Sequence, residues 1–232
     1  MDFEKELSQK ENDAGQITCW CLTVGLHQEF GVGAVRLNRV SEEMIRLEEE
    51  HETTMAMYGP DKAREQRIAW LQGKVSNEFR VPLIRAPRGR REQQIRMAMD
   101  RMASASWQFY AASCIRVLGY GPDRLEKLRQ VGRSNYDQFN RESHDVGQDV
   151  AIEHLRRCAE DALKEELRVV EDDPEGWKAY QKEFETKRSD AIRVRMSERL
   201  ARKDVSHNDQ DIGKIFDQCM KETLSVRQNV RY

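Results

Sequence analysis

Proline is scarce in this chain, with five in 232 residues, so little interrupts long helices. Also missing is any run of ~20 apolar residues of the kind a membrane-spanning helix needs. The N-terminal Met1-Asp2-Phe3-Glu4-Lys5-Glu6 carries charge where a signal peptide has an apolar core. These absences predict a soluble, cytoplasmic protein with no membrane partner. Excess charge is lacking too: 39 basic against 41 acidic side chains leave a net charge of -2, and no global field draws the protein onto DNA or an acidic membrane. An anionic partner must then be met by a local site. The cysteines, Cys19, Cys21, Cys114, Cys158 and Cys219, are odd in number and without framework spacing, as expected of reduced thiols.

What is present is amphipathic. A charged fraction of 34% against a hydrophobic fraction of 38% suits exposed helices better than a wide buried sheet. No segment alternates convincingly with period two, so the fold is expected to be all-α. The organising feature is Gly31-Val32-Gly33, followed by Arg36-Leu37, because Gly119-Tyr120-Gly121, followed by Arg124-Leu125, lies 88 positions downstream. Continuing that register without a gap pairs Gly59 with Gly147, Asp61 with Asp149, Ala63 with Ala151 and Glu65 with Glu153, then Glu78, Arg80 and Val81 with Glu166, Arg168 and Val169. These are 11 identities over positions 31 to 81, where chance at average residue usage gives roughly three. We read an internal duplication of a three-helix unit.

The resulting plan is a first helical repeat over residues 1–81, an Arg-rich connector and the start of a long helix over 82–102, a second repeat over 103–170 and C-terminal helices over 171–232. Within it, helices are expected at about 13–29, 34–57, from Pro60, 92–117, 122–142 and 149–170, with residues 1–12 a frayed helix or a tail. Breaks fall at the glycine turns, at Tyr58-Gly59 and at His144 to Gly147. A C-terminal pair follows, one helix opened by Pro174 and carrying Trp177, Tyr180 and Phe184, the other holding Ile212, Phe216 and Leu224.

Two places could bind an anion. The helices after the glycine turns offer free backbone N–H groups and the positive ends of their dipoles at Gly31, Gly33 and Gly121, and Arg36 and Arg124 sit close enough to add charge-assisted bonds. The plainer reading, in which the glycines make tight turns and the arginines cover neighbouring helices, is favoured there, and Pro122 removes one donor. The second place is Arg80 to Arg101, which contains Arg85, Arg88, Arg90 and Arg91 but no lysine. Guanidinium forks grip phosphate with two bonds. The same arginines could equally pair with acidic faces of this chain's own helices or of a second subunit.

Enzymatic constellations are thin. His144-Asp145 has the form of a metal-phosphohydrolase pair but without flanking ligands, and Cys19-x-Cys21 with His27 has no second ligand pair. No Walker loop, nucleophile elbow or HExxH is found. The expectation is a non-enzymatic protein with no metal and no cofactor.

The pattern Phe30-Gly31-Val32-Gly33 through Leu37 and Val40 resembles the hairpin of helix-hairpin-helix DNA-binding proteins, which implies backbone donors to DNA phosphates. More closely, Leu26-His27-Gln28-Glu29-Phe30-Gly31-Val32-Gly33-Ala34-Val35-Arg36-Leu37 resembles small phage-encoded helical proteins with a Leu-His-x-x-Phe-Gly-Phe-Gly-x-x-Arg-Leu type motif. That resemblance implies a phage or prophage origin, in an infected or lysogenic bacterial host. Three readings follow. The favoured one is a phage protein that binds and sequesters a small phosphorylated ligand, such as a nucleotide immune signal, at Arg85, Arg88, Arg90, Arg91, Arg36, Arg124, Gly31 and Gly33. The alternatives are nucleic-acid binding through the turns and a protein-interaction module. Near-neutral charge tilts the balance to a pocket, because a duplex binder needs a broad basic face. The narrow apolar seams suit a homo-oligomer.

Overall fold

The structure, a computed structural model, describes residues 3–165 and 167. Those residues form α1 (Phe3–Phe30), α2 (Ala34–Tyr58), α3 (Pro60–Trp70), α4 (Arg90–Leu118), α5 (Pro122–Val146) and α6 (Gln148–Leu163), with no strand among them. The protein is all-α, as its patterning predicts. Helix α1 begins ten residues earlier than expected, at Phe3, because the polar first segment gains partners on α4. Helix α5 runs through His144 and stops only at Gly147, whose φ of 103° ends the helix. The C-terminal pair expected over 171–232 lies outside the described residues.

The described residues divide between two units, one of residues 3–48, 65–165 and 167 and the other of residues 49–64. In the second, the end of α2 and the start of α3 flank Gly59, at φ 84°. The Gly59 amide donates to the Met55 carbonyl at 3.0 Å, and the Ala63 amide to the Gly59 carbonyl at 3.2 Å, so the glycine closes one helix and opens the next.

The first unit is built around α1 and α4, which run side by side in the same direction. Arg91 pairs with Glu6 near one end, Arg101 with Glu11 further on, and Thr23 Oγ1 lies 2.9 Å from Tyr110 Oη in the middle. Small residues allow the close approach: a Cβ on Gly15 would come within 3.0 Å of Met102 Cγ.

The next helices cross over. Helix α5 folds back onto α1, where Asn135 Nδ2 donates to the Cys21 carbonyl at 3.0 Å and Val131 abuts Gly25. The first part of α2 lies on α4: Arg116 reaches Glu43 at 3.0 Å, and Leu47 clusters with Phe109 and Ala112. Each half therefore covers the leading helix of the other. The ends of α1 and α4, the starts and ends of α2 and α5, and the starts of α3 and α6 are all displaced by the same 88 positions. The elements repeat in order and place; common descent of the halves remains a reading of the sequence.

The core holds Leu22, Leu26, Leu37, Trp107, Leu125, Leu128 and Tyr136; Leu26, Leu37, Trp107, Leu125 and Leu128 lie on the faces expected from helical spacing, and Leu22 and Tyr136 join them. Phe79 and Val81 fill it from the segment joining α3 to α4, residues 71–89. Trp107 Nε1 donates to the Ser76 carbonyl, Gln108 Nε2 to the Asn77 carbonyl and Asn140 Nδ2 to the Pro82 carbonyl, at 2.8, 2.8 and 2.9 Å. This segment is thus clamped by α4 and α5 at Ser76, Asn77 and Pro82.

Candidate functional site: a cleft between the two glycine turns

Because α1 and α4 run in parallel, both end at the same place, and both glycine turns meet there. Gly31 and Gly119 adopt left-handed φ values of 62° and 64°, a conformation that costs a glycine little. Each turn caps its helix by a bond from the second residue past the end: Val32 N–H to the Leu26 carbonyl at 3.1 Å, and Tyr120 N–H to the Cys114 carbonyl at 3.3 Å. His27 Nδ1 braces the first turn, 3.1 Å from the Val32 carbonyl oxygen. With those carbonyls taken up, what the turns present is side chains and the N-terminal ends of α2 and α5.

Between the turns lies a cleft of about 490 Å³ lined by Phe30, Val32, Arg36, Arg39, Val117, Leu118, Tyr120 and Arg124. The rings of Phe30 and Tyr120 sit 5.6 Å apart, tilted by 34°, and make one wall aromatic. The Arg124 guanidinium lies over the Tyr120 ring at 5.5 Å. Burial pushes the Tyr120 phenol above its ordinary value, the neighbouring Cys114 adds to this, and Arg124 and Arg36 pull the other way. Both guanidiniums therefore act on one phenol oxygen, from opposite turns. Among the described residues, Arg36, Arg39 and Arg124 have no carboxylate partner and the Tyr120 hydroxyl makes no hydrogen bond. Lys127, which stands 88 positions after Arg39, is engaged: it lies 3.8 Å from Glu29 and 5.3 Å from the Phe30 ring. Guanidiniums without carboxylate partners beside apolar walls can hold a phosphate and an attached ring system together.

The arginine segment has a different environment. Arg85 pairs with Glu92 at 2.9 Å, Arg91 with Glu6, Arg96 with Asp100 at 2.9 Å and Arg101 with Glu11. Arg91 also lies over the Phe3 ring at 5.3 Å. The Arg88 amide donates to Glu92 Oε2 at 2.7 Å, while the Arg88 and Arg90 side chains are exposed. The Arg88 amide, then Arg85, holds the Glu92 carboxyl below its usual range. Of the residues expected from sequence, then, Arg36 and Arg124 line the cleft, Gly31 and Gly33 shape its first turn, and Arg85, Arg88, Arg90 and Arg91 lie outside its lining. Sequence reasoning missed Arg39, Phe30 and Tyr120. Arg39 follows Arg36 by three positions, which puts the two on one helix face, and that spacing was the available signal.

The remaining candidates do not assemble. His144 Nδ1 is 3.3 Å from Asp145 Oδ1 on the exposed last turn of α5. Cys21 is buried, and burial pushes the Cys19 thiol up to about 12 and that of Cys21 higher, so neither is a ready thiolate. No group of three or more His, Cys, Asp or Glu among the described residues could hold a metal ion. No described helix is long and apolar enough to cross a membrane.

Fold and site together define an all-α protein with a cationic, aromatic-walled cleft between two matched turns. No protein family, curated protein or solved structure matches the chain.

Proposed function

We propose that this protein binds and sequesters a small phosphorylated ligand, a nucleotide, in the cleft between its glycine turns. One observation carries the reading: three arginines with no carboxylate partner among the described residues line one open cleft with Phe30 and Tyr120. Guanidiniums left without carboxylates beside apolar walls are matched by phosphate, and the half-buried Phe30 ring offers a base an apolar contact. A volume of about 490 Å³ is of the size that takes a nucleotide-sized ligand. None of the lining residues is a carboxylate, histidine, cysteine, serine or threonine, which supports holding over turnover. The phage resemblance of Leu26 to Leu37 supplies a use: withdrawing a nucleotide messenger disarms a host defence without any chemistry.

Calorimetry with AMP, with inorganic phosphate and with a DNA duplex tests this. AMP should bind, inorganic phosphate should bind more weakly for want of the base's apolar contact, and duplex DNA should not bind at low salt. Arg36→Ala should weaken AMP about tenfold to a hundredfold, the worth of a hydrogen bond to a charged group. Silence toward every nucleotide, or tight salt-sensitive DNA binding, would overturn the reading.

A further inference from the structure

Two exposed stretches adjoin near the starts of α1 and α4, whereas the cleft lies at the ends of those helices. One is the tip of the connector, where Leu83 and Ile84 are 52% and 55% exposed and the exposed Arg88 and Arg90 follow. The other is the turn between α5 and α6, where Val146 and Val150 are 56% and 55% exposed beside the exposed Asp145 and Asp149. Asn140 brings the two together. Its Nδ2 donates to the carbonyl of Pro82, the neighbour of Leu83, at 2.9 Å, and Val146 follows on the same helix about 9 Å further along its axis. On the other side of the turn, Gln148 accepts from Lys10 of α1 at 3.1 Å.

These stretches are opposite in charge, and neither is neutralised within its own chain. Among the described residues Arg88 and Arg90 have no carboxylate partner, Asp149 has no cationic one, and Asp145 has only His144 at 3.3 Å. The connector backbone is held on both sides of its aliphatic tip: the Val81 amide donates to Asp100 Oδ1 at 2.9 Å, and the Arg88 amide to Glu92 Oε2 at 2.7 Å. Leu83 and Ile84 are therefore displayed on a fixed support, and adjoining exposed aliphatic side chains mark a surface that takes a partner.

We infer that this surface binds a second copy of the chain about a two-fold axis, with the connector of each copy lying on the α5–α6 turn of the other. A two-fold axis exchanges the halves of the surface. Arg88 and Arg90 then meet Asp145 and Asp149 twice, and Leu83 and Ile84 meet Val146 and Val150 twice. Charge complementarity selects this occupant: a surface with one basic and one acidic half matches itself reversed. A uniformly acidic partner is repelled by the aspartates, and a uniformly basic one by the arginines. Burial of the aliphatic side chains supplies affinity, and the charges fix the register. The interface lies away from the cleft, so the inference stands independently of the nucleotide-binding reading.

Sedimentation velocity on the full chain, from about 1 to about 300 μM in about 50 mM salt, tests the interface. Monomer should pass to dimer as concentration rises, and added salt should weaken the dimer. One variant combines Arg88→Glu with Arg90→Glu, and a second combines Asp145→Lys with Asp149→Lys. Each should weaken its own dimer about tenfold or more, because under two-fold symmetry every substitution acts twice. Mixing the two variants is the decisive arm, since the acidic connector and turn of one then face the basic turn and connector of the other, and the dimer should return. Thermal melting checks that each variant is folded, and Ile84→Glu, which needs neither charge reversal, should weaken the dimer as well. A chain that stays monomeric over the whole range overturns the inference. So does a dimer unchanged by these substitutions, or a mixture of folded variants that does not recover it.

Discussion

Gly132 sits inside α5 with its backbone against Leu22, and a Cβ there would come 2.6 Å from Leu22 Cδ2 and 3.5 Å from Phe79 Cε2. Leu22 and Phe79 are both fully buried, so neither can swing away. Gly132→Ala should lower unfolding stability by about 1–2 kcal/mol in urea titrations, overpacking outweighing the better helix propensity of alanine. Gly121→Ala is the matched control, because that glycine has open space and an extended φ of -89°, and it should be close to neutral. Thr23 and Tyr110 raise a different question. Their hydroxyls meet 2.9 Å apart at the centre of the α1–α4 contact, where both side chains are buried. Tyr110→Phe leaves the threonine hydroxyl unsatisfied and should cost about 1–2 kcal/mol; a double-mutant cycle with Thr23→Val should return a coupling, and additive losses would show that the bond contributes nothing.

At the scale of elements, the contact of α2 with α4 passes through Glu43, which accepts from Arg46 and Arg116 at 2.6 and 3.0 Å. The bond from Arg46, and after it that from Arg116, holds the Glu43 carboxyl below its ordinary value. The sign follows directly: a carboxyl lowered by folding contributes its full stabilisation above about 4.5 and loses it as pH falls through the lowered value. Glu43→Gln should therefore reduce stability by about 0.5–1 kcal/mol at neutral pH and by less in acid. An equal loss at both ends of the range would show that this link does not titrate. The connector makes a second element-scale prediction. Arg91, Arg101, Arg85 and Arg96 are tied to Glu6, Glu11, Glu92 and Asp100, and Arg88 and Arg90 lie outside the cleft lining, so the exposed pair Arg88→Ala with Arg90→Ala should leave nucleotide affinity unchanged in the same calorimetry that detects the loss from Arg36→Ala. A matching loss from the connector variant would move the site to that loop.

Over the whole molecule, the two parallel helices bury Cys21 and Cys114 completely, and burial pushes both thiols far above their ordinary value. Native protein should react slowly with a thiol reagent at these two positions and fully once urea is added; rapid labelling of Cys114 in buffer would contradict the parallel packing. The helices and their breaks were readable in the chain because they rest on local chemistry: apolar spacing along Leu37, Val40 and Leu47, positive φ at Gly31 and Gly119, proline at the start of α5. Arg36 and Arg124 were readable as a pair for the same reason, through a repeat in linear sequence. Arg39, Phe30 and Tyr120 were not, since an arginine on a helix and an aromatic beside a turn look ordinary until a second turn arrives opposite them. The connector arginines illustrate the other side of this limit. Glu6 and Glu11 lie 85 and 90 positions away from their partners Arg91 and Arg101, and no local pattern announces such a pair. By itself, then, the sequence determined the helix breaks at Gly31 to Gly33, Gly59 and Gly119 to Gly121 and that two like turns exist, because those depend on neighbours in the chain, whereas the start of α1 and the ends of α5 and α6 did not follow from it. Only the tertiary structure decided which arginines are neutralised and which are left facing a shared cleft, because that depends on which carboxylates the packing of α1 against α4 carries within reach.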